Sequence, residues 1–177
     1  MSREETLEDL ARRVRRLEDE AAIRRLMAEM LRKADERDRP DWGDQLVAYY
    51  TEDGMWTSGK GFSDVGMAGR GREALRKKFN AGTRIVESSH LLGSEWVEVD
   101  GDEAEGSWLC FEPATLKAPG GGREAVWVMG RYHCEFKREG DGWKVRTLRF
   151  DGIFCTPFDK GWAEQPFVSV HPEAADG

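Results

Sequence analysis

The chain has 177 residues, long enough for one domain with a sizeable core, with 39% hydrophobic and 34% charged residues. Its net charge of −7 repels a phosphate backbone, so nucleic acid is not an expected partner. No apolar run approaches the roughly 20 residues of a membrane-spanning helix, and the charged start MSREETLEDLARR lacks the apolar core of a signal peptide.

Residues 4–37 carry one helical pattern. Leu7, Leu10, Val14 and Leu17, then Ile23, Leu26, Met27, Met30, Leu31 and Ala34, keep the three/four spacing of an apolar stripe. The first half is dense in Arg and Glu, and its narrow stripe is expected to pack on a neighbouring subunit. Pro40 ends the helical region. DWGDQLVAYY (41–50) reads as a short second helix, and TEDGMWTSG (51–59) turns into a strand around Trp56. GREALRKKFNAG (71–82) reads as a third helix that stops at Gly82. GMWTSGKG (54–61) resembles a phosphate-binding loop, but Gly61 stands where Ser or Thr is required and no helix follows, so that reading is rejected.

After residue 90 the period changes to two. SEWVEV, EAEGSWLCFEP, AVWVMGRYHCEF and WKVRTLRFDGIF read as four strands joined by the polar turns DGDE, APGGGRE and REGDG. Helices first and an antiparallel sheet second predict an α+β fold. Helices packed into a strongly curved sheet leave a cone whose hollow takes a small ligand. The tail after Phe167 is expected to be loose.

Two residues stand out chemically. Asp35 closes the long helix in MLRKADERD, and His90 precedes a strand in SSHLLGSEWVEV. At a helix C-terminus the macrodipole disfavours an anion by about 0.3–1 kcal/mol, so Asp35 is either a solvated carboxylate among Lys33, Glu36 and Arg37 or a residue with a partner. A histidine, with an ordinary pKa of about 6.5, suits proton abstraction near neutral pH, though a lone one is more often structural. If the two meet, general acid–base chemistry without a cofactor follows. His90, His133 and His171 show no ligand spacing and the cysteines are not paired for zinc, so no metal is expected. Cys110, Cys134 and Cys155 lie in apolar strands and read as reduced, inert thiols of a cytoplasmic protein.

AAIRRLMAEMLRKADERDRPDW, YYTEDGMW, GREAL, SSHLLGSEWVEVDGDEAEGSW and GDGWKVRTLRFDGIF together resemble the SnoaL-like branch of the nuclear-transport-factor-two-like superfamily, over residues 18–155. The resemblance is nearest to the cofactor-free eliminating enzymes: scytalone dehydratase, hexachlorocyclohexane dehydrochlorinase and bile acid dehydratase. It implies a cone-shaped α+β barrel, N-terminal helices packed into a strongly curved mixed or antiparallel sheet. It also implies one SnoaL-like domain over 1–177, with a helical extension at 1–18 and a loose tail at 168–177.

In that group the Asp at the end of the first long helix pairs with the His ahead of the first long strand, which matches Asp35 and His90. The resemblance implies that Asp35 orients His90 and that His90 is the general base. Positions where relatives carry tyrosines hold Met30, Ala34 and Trp56 here, which implies a more apolar or aromatic substrate. Strand parity under the same alignment turns Trp108, Cys110 and Glu112 into the cavity, then Val128, Gly130, Tyr132 and Cys134, then Arg146, Leu148 and Phe150. A register slip of one residue reverses each set. Glu112 would protonate or bind a hydroxyl, Tyr132 would donate to a substrate oxygen, and Arg146 would stabilise an oxyanion. For each, an ordinary core or surface role stays open. His133 faces out with Trp127, Met129 and Arg131.

The implied activity is a dehydratase-type lyase acting on a small hydroxylated cyclic or aromatic compound, without cofactor or metal. The same fold also serves isomerases, polyketide cyclases, formaldehyde-releasing carbon–carbon lyases on lignin-derived diaryl compounds, binding modules and the small subunits of ring-hydroxylating dioxygenases. Relatives form homo-oligomers, so a trimer is expected and a dimer is the alternative.

Overall fold

The computed structural model describes residues 3–59, 69–168 and 170. A long helix α1 (Arg3–Asp35) is followed by α2 (Trp42–Val47), strand β1 (Tyr50–Ser58), α3 (Arg72–Asn80), β2 (Ile85–Ser88), β3 (Leu91–Asp100), β4 (Glu103–Lys117), β5 (Arg123–Glu139), β6 (Gly142–Pro157) and a short α4 (Gly161–Glu164). Residues 60 and 61 of the rejected phosphate-loop pattern lie outside the described residues.

The strands form one six-stranded sheet. Its path runs β1-β6-β5-β4-β2, with β3 pairing the other part of the edge of β4. β3 to β6 are antiparallel as expected, while β1 pairs β6 in parallel, so the sheet is mixed. Register shifts along β5–β6, between Met129 and Gly130 and between Glu135 and Phe136, mark β-bulges. Bulges bend a strand and raise its local twist, which curls the sheet into a half-barrel around the helices. At the first bulge the Phe150 ring lies directly over Gly130, leaving no space for a Cβ.

The second half of α1 fills the concave side. Ile23, Met27, Met30 and Leu31 are buried there. Asp19 marks where the helix meets the domain. Its carboxylate accepts hydrogen bonds from Arg138 (2.8 Å) and from the Trp143 indole N–H (3.0 Å). N-terminal to it, Leu7, Leu10, Val14 and Leu17 are 45–62% exposed. At the other end, the Trp42 indole N–H donates to the carbonyls of Lys33 (3.1 Å) and Ala34 (3.2 Å). Those carbonyls have no partner within the helix, so α2 caps α1 and fixes the turn that carries Asp35 and Arg37.

Two short elements were not predicted: β2, with only four residues and partial burial, and α4. The start of the segment expected to be loose is tied down: Val168 N–H donates to Cys155, and Arg84 N–H donates to the Val170 carbonyl. The rest of that tail lies outside the described residues. No helix of the described residues is long and apolar enough to cross a membrane.

Candidate functional site

Where α1 ends, its last residue meets the junction of β2 and β3. Asp35 Oδ1 lies 2.7 Å from His90 Nδ1 and accepts from Ser88 Oγ at 3.2 Å, while Oδ2 accepts the His90 backbone N–H at 3.0 Å. Burial pushes the Asp35 carboxyl up, but the His90 side chain, the His90 N–H and Ser88 together outweigh it and hold the group below the usual carboxylate range. An acceptor on Nδ1 fixes the imidazole tautomer with the proton on Nδ1 and leaves Nε2 as the basic atom. The His90 side chain is 5% exposed.

Nε2 is aimed along the cavity wall, 3.6 Å from Glu112 Oε2. The placement follows from the strands. Ser89 N–H bonds to the Pro113 carbonyl, which ties the β2–β3 junction to β4 beside Glu112. β4 continues to Lys117, so Glu112 sits mid-strand, pairs with Val128 and is 6% exposed, which removes the surface role left open for it. Glu112 Oε1 faces Arg37 Nη2 at 3.9 Å. Neither Glu112 Oε1 nor Arg37 Nε has a hydrogen-bond partner, although both are buried. Burial pulls the Arg37 guanidinium below its usual value, against the opposing pull of Glu112, and its plane lies 5.1 Å from the Trp42 ring.

These groups open onto a cavity of about 260 Å³. Of the residues expected on its wall, Met30, Trp56, His90, Glu112, Val128, Tyr132, Leu148 and Phe150 line it. Tyr132 is buried beside His90, ring centroids 6.5 Å apart, and packs on Phe150 at 4.8 Å. Five expectations fail. Gly130 lies beneath the Phe150 ring and Cys134 packs against Met27 in the core, so neither reaches the cavity. Trp108 and Cys110 face inward but belong to the packed core, Trp108 edge-on to Phe136 at 6.1 Å. Arg146 points outward and donates to Glu103 at 3.0 Å. Its strand parity breaks at the second bulge, where Phe136 pairs with Val145 but Glu135 pairs with Thr147, so Val145 turns in and Arg146 out. His133 is outward, 3.5 Å from Asp151.

Arg37, Trp42, Tyr50 and Lys78 also line the cavity, although no sequence pattern marks them. Lys78 lies over the Trp56 ring at 4.3 Å, and burial pushes its ammonium down. Burial raises the Tyr50 phenol and the Tyr132 phenol, keeping both as neutral donors. Tyr50 thus supplies a second phenol to the cavity beside Tyr132. The cysteines are buried and free; burial pushes Cys110 and Cys155 up to about 12, which makes them poor nucleophiles. Among the described residues no cluster of three or more His, Cys, Asp or Glu could hold a metal ion.

Residues 15–149 match the SnoaL-like domain family. No curated protein matches the chain in sequence. Several solved structures share its fold. A hexachlorocyclohexane dehydrochlorinase, LinA-type3 from Novosphingobium barchaimii LL02, superposes with a TM-score of 0.66 at 22% identity, covering 81% of this chain and 92% of its own. A scytalone dehydratase candidate from Novosphingobium aromaticivorans DSM 12444 gives 0.67 at 18% identity, covering 91% and 97%. An aromatic ring hydroxylase candidate from Novosphingobium aromaticivorans gives 0.66 at 23% identity, covering 80% and 94%.

Proposed function

We propose, from the premise that this chain belongs to the SnoaL-like domain family, that it is a cofactor-independent lyase catalysing a dehydratase-type elimination. The observation that carries this reading is the 2.7 Å contact of Asp35 with His90 Nδ1, with Nε2 turned toward a small, mostly apolar cavity. His90 Nε2 removes a proton from carbon next to an activating carbonyl or arene. The C–H electron pair becomes the new carbon–carbon double bond, the C–O bond breaks, and the oxygen leaves as water with a proton from Tyr132. The proton on His90 then passes to the group that gave one up. Asp35 orients the ring and balances the imidazolium charge. A positioned base of this kind contributes roughly 10²–10⁴-fold in rate.

The substrate is a small hydroxylated cyclic or aromatic compound. Aromatic and aliphatic walls from Trp56, Phe150, Val128 and Leu148 match such a body, and the size of the cavity limits it to a few rings. The test is turnover of hydroxylated cyclic ketones and arylpropanoids. His90→Ala and Asp35→Asn should each lower the rate at least 10²-fold with the fold intact; wild-type rates in either variant would sink the mechanism.

Isomerisation is the second reading, supported by the 3.6 Å spacing of Nε2 and Glu112 Oε2. Two proton-carrying groups so close can take a proton from one carbon and return it to a neighbour. Loss of water from the product separates the two. A purely binding role fits less well, because it gives no reason for three hydrogen bonds to converge on Asp35.

The protein works as a cytoplasmic homo-oligomer in this reading. Three buried free thiols suit a reducing compartment. The exposed stripe of Leu7, Leu10, Val14 and Leu17 is the face through which copies join.

A further inference from the structure

A partly exposed arginine, its Nε buried, and a buried glutamate face each other across one wall of the cavity without closing a hydrogen bond. Arg37 Nη2 and Glu112 Oε1 are 3.9 Å apart, beyond hydrogen-bond range, and Glu112 Oε1 and Arg37 Nε are both unsatisfied. The Glu112 side chain is 8% exposed and that of Arg37 16%. Leaving buried charged groups short of partners costs more than leaving a neutral one, so the arrangement persists only if something completes it.

We propose that Arg37 and Glu112 form a hydroxyl-selective subsite that clamps a phenolic or enolic O–H of the ligand. The chemistry narrows the choice. Arg37 only donates, and an ionised Glu112 only accepts. A group completing both must accept one hydrogen bond and donate another through a single small atom, which describes a hydroxyl. A carbonyl or ether oxygen serves Arg37 and leaves Glu112 unmet. An ammonium serves Glu112 and is repelled by Arg37, and a carboxylate meets the reverse conflict. The Trp42 face holds the guanidinium plane in place, 5.1 Å away, so the fork is pre-formed.

Position adds to this. Glu112 Oε2 looks toward His90 Nε2 at 3.6 Å while Oε1 looks toward Arg37, so one carboxylate spans both groups. A hydroxyl held at the Arg37 side therefore lies next to the ring atoms presented to His90. Apolar contacts from Val128, Leu148 and Phe150 favour a ring behind that oxygen. The subsite deepens the lyase reading by naming its ligand class, a hydroxylated arene or enol, and it rests on the same cavity.

Calorimetric titration of the full chain with 2-naphthol, 2-methoxynaphthalene and 2-naphthoate tests it. The expected result is 2-naphthol binding at least tenfold tighter than the other two. Glu112→Met should reduce the preference over 2-methoxynaphthalene below about threefold, and Arg37→Met should weaken 2-naphthol and 2-methoxynaphthalene alike by at least threefold, with near-ultraviolet circular dichroism of each variant reporting that the cavity has folded. Equal affinity of wild type for 2-naphthol and 2-methoxynaphthalene, no binding of any of the three, a preference that survives Glu112→Met, or unchanged affinities in Arg37→Met overturns the proposal. The wild-type comparison decides even if a variant fails to fold. Turnover by wild type separates this proposal from the lyase reading: a chain that selects the hydroxyl but eliminates water from none of the hydroxylated cyclic ketones and arylpropanoids keeps the subsite and loses the lyase.

Discussion

His90 Nδ1 and Asp35 Oδ1 lie 2.7 Å apart, although one residue ends a helix and the other precedes a strand. Three donors reach the Asp35 carboxylate: the imidazole, the His90 backbone N–H and the Ser88 hydroxyl. The backbone bond fixes where the β3 start sits relative to α1, and the side-chain bond fixes how the ring turns. Together they convert an unfavourable position for an anion, at the negative end of a helix dipole, into a held one.

That arrangement has a pH signature. The folded carboxyl of Asp35 lies below its unfolded value. A depressed carboxyl contributes stability that is fully present above the unfolded pKa, near 4, and is lost as pH falls through the folded value. Urea unfolding followed from pH 6 down to pH 2 should show wild type losing stability through the acid range faster than Asp35→Asn, which carries no titrating group there. Parallel acid limbs in the two proteins would refute the assignment.

Asp19 anchors α1 at its other end. Its carboxylate accepts from Arg138 and from Trp143 in a buried setting, and the guanidinium of Arg138 lies 4.4 Å from the Trp143 ring. Asp19→Asn keeps the shape and removes the charge. Hydrogen bonds to charged groups contribute about 1.5–3 kcal/mol, and in a chain of this size 1 kcal/mol moves Tm by roughly 2–4 °C. A fall in Tm of roughly 3–12 °C is expected, with turnover at low temperature unchanged because the substitution is remote from the cavity. An unchanged Tm would show that the anchor carries no net stability.

Much of the site was legible in residues, and the failures have specific causes. Asp35 and His90 were visible as titratable groups at the ends of elements whose order matched a family. Glu112, Val128 and Tyr132 followed from alternation, because β4 and β5 pair in unbroken register from Glu103 to Lys117. Arg146 failed because alternation cannot reveal a bulge: KVRTLRF reads as one regular strand, yet the pairing shifts between Val145 and Thr147. Arg37 was missed because an arginine in a charged turn reads as solvated. Only the fold brings β4 against that turn, and only the Trp42 cap on α1 directs the side chain inward.

Arg146 therefore supplies a contrast with Arg37. It lies on the outer face, bonded to Glu103 and 3.9 Å from Glu135. Exposed ion pairs of this kind contribute about 0–1 kcal/mol. Arg146→Ala should leave both turnover and naphthol affinity within twofold of wild type. A tenfold loss in either would return this residue to the cavity and reject the bulge.

The N-terminal half of α1 calls for a partner that the domain does not supply. Leu7 and Val14, with Leu10 and Leu17, alternate at spacings of three and four, which are the a and d positions of two heptads. All four are exposed, and helices shorter than about 12–15 residues are marginal alone in water. In that frame Arg13 occupies a g position and Glu18 the following e position, so a parallel pair of copies sets opposite charges against each other across the seam. Light scattering at micromolar concentration should give a multiple of the 20.1 kDa chain mass. Leu10→Lys with Leu17→Lys should reduce the mass toward one chain and lower the helical circular dichroism signal, with the cavity intact by naphthol titration. Glu18→Arg alone should weaken association and Arg13→Glu added to it should restore it, the signature of a parallel register. A wild-type monomer, or a double-lysine variant with unchanged mass, would remove the helix from the interface and leave the outer face of the sheet, around Trp127 and Met129, as the surface to test next.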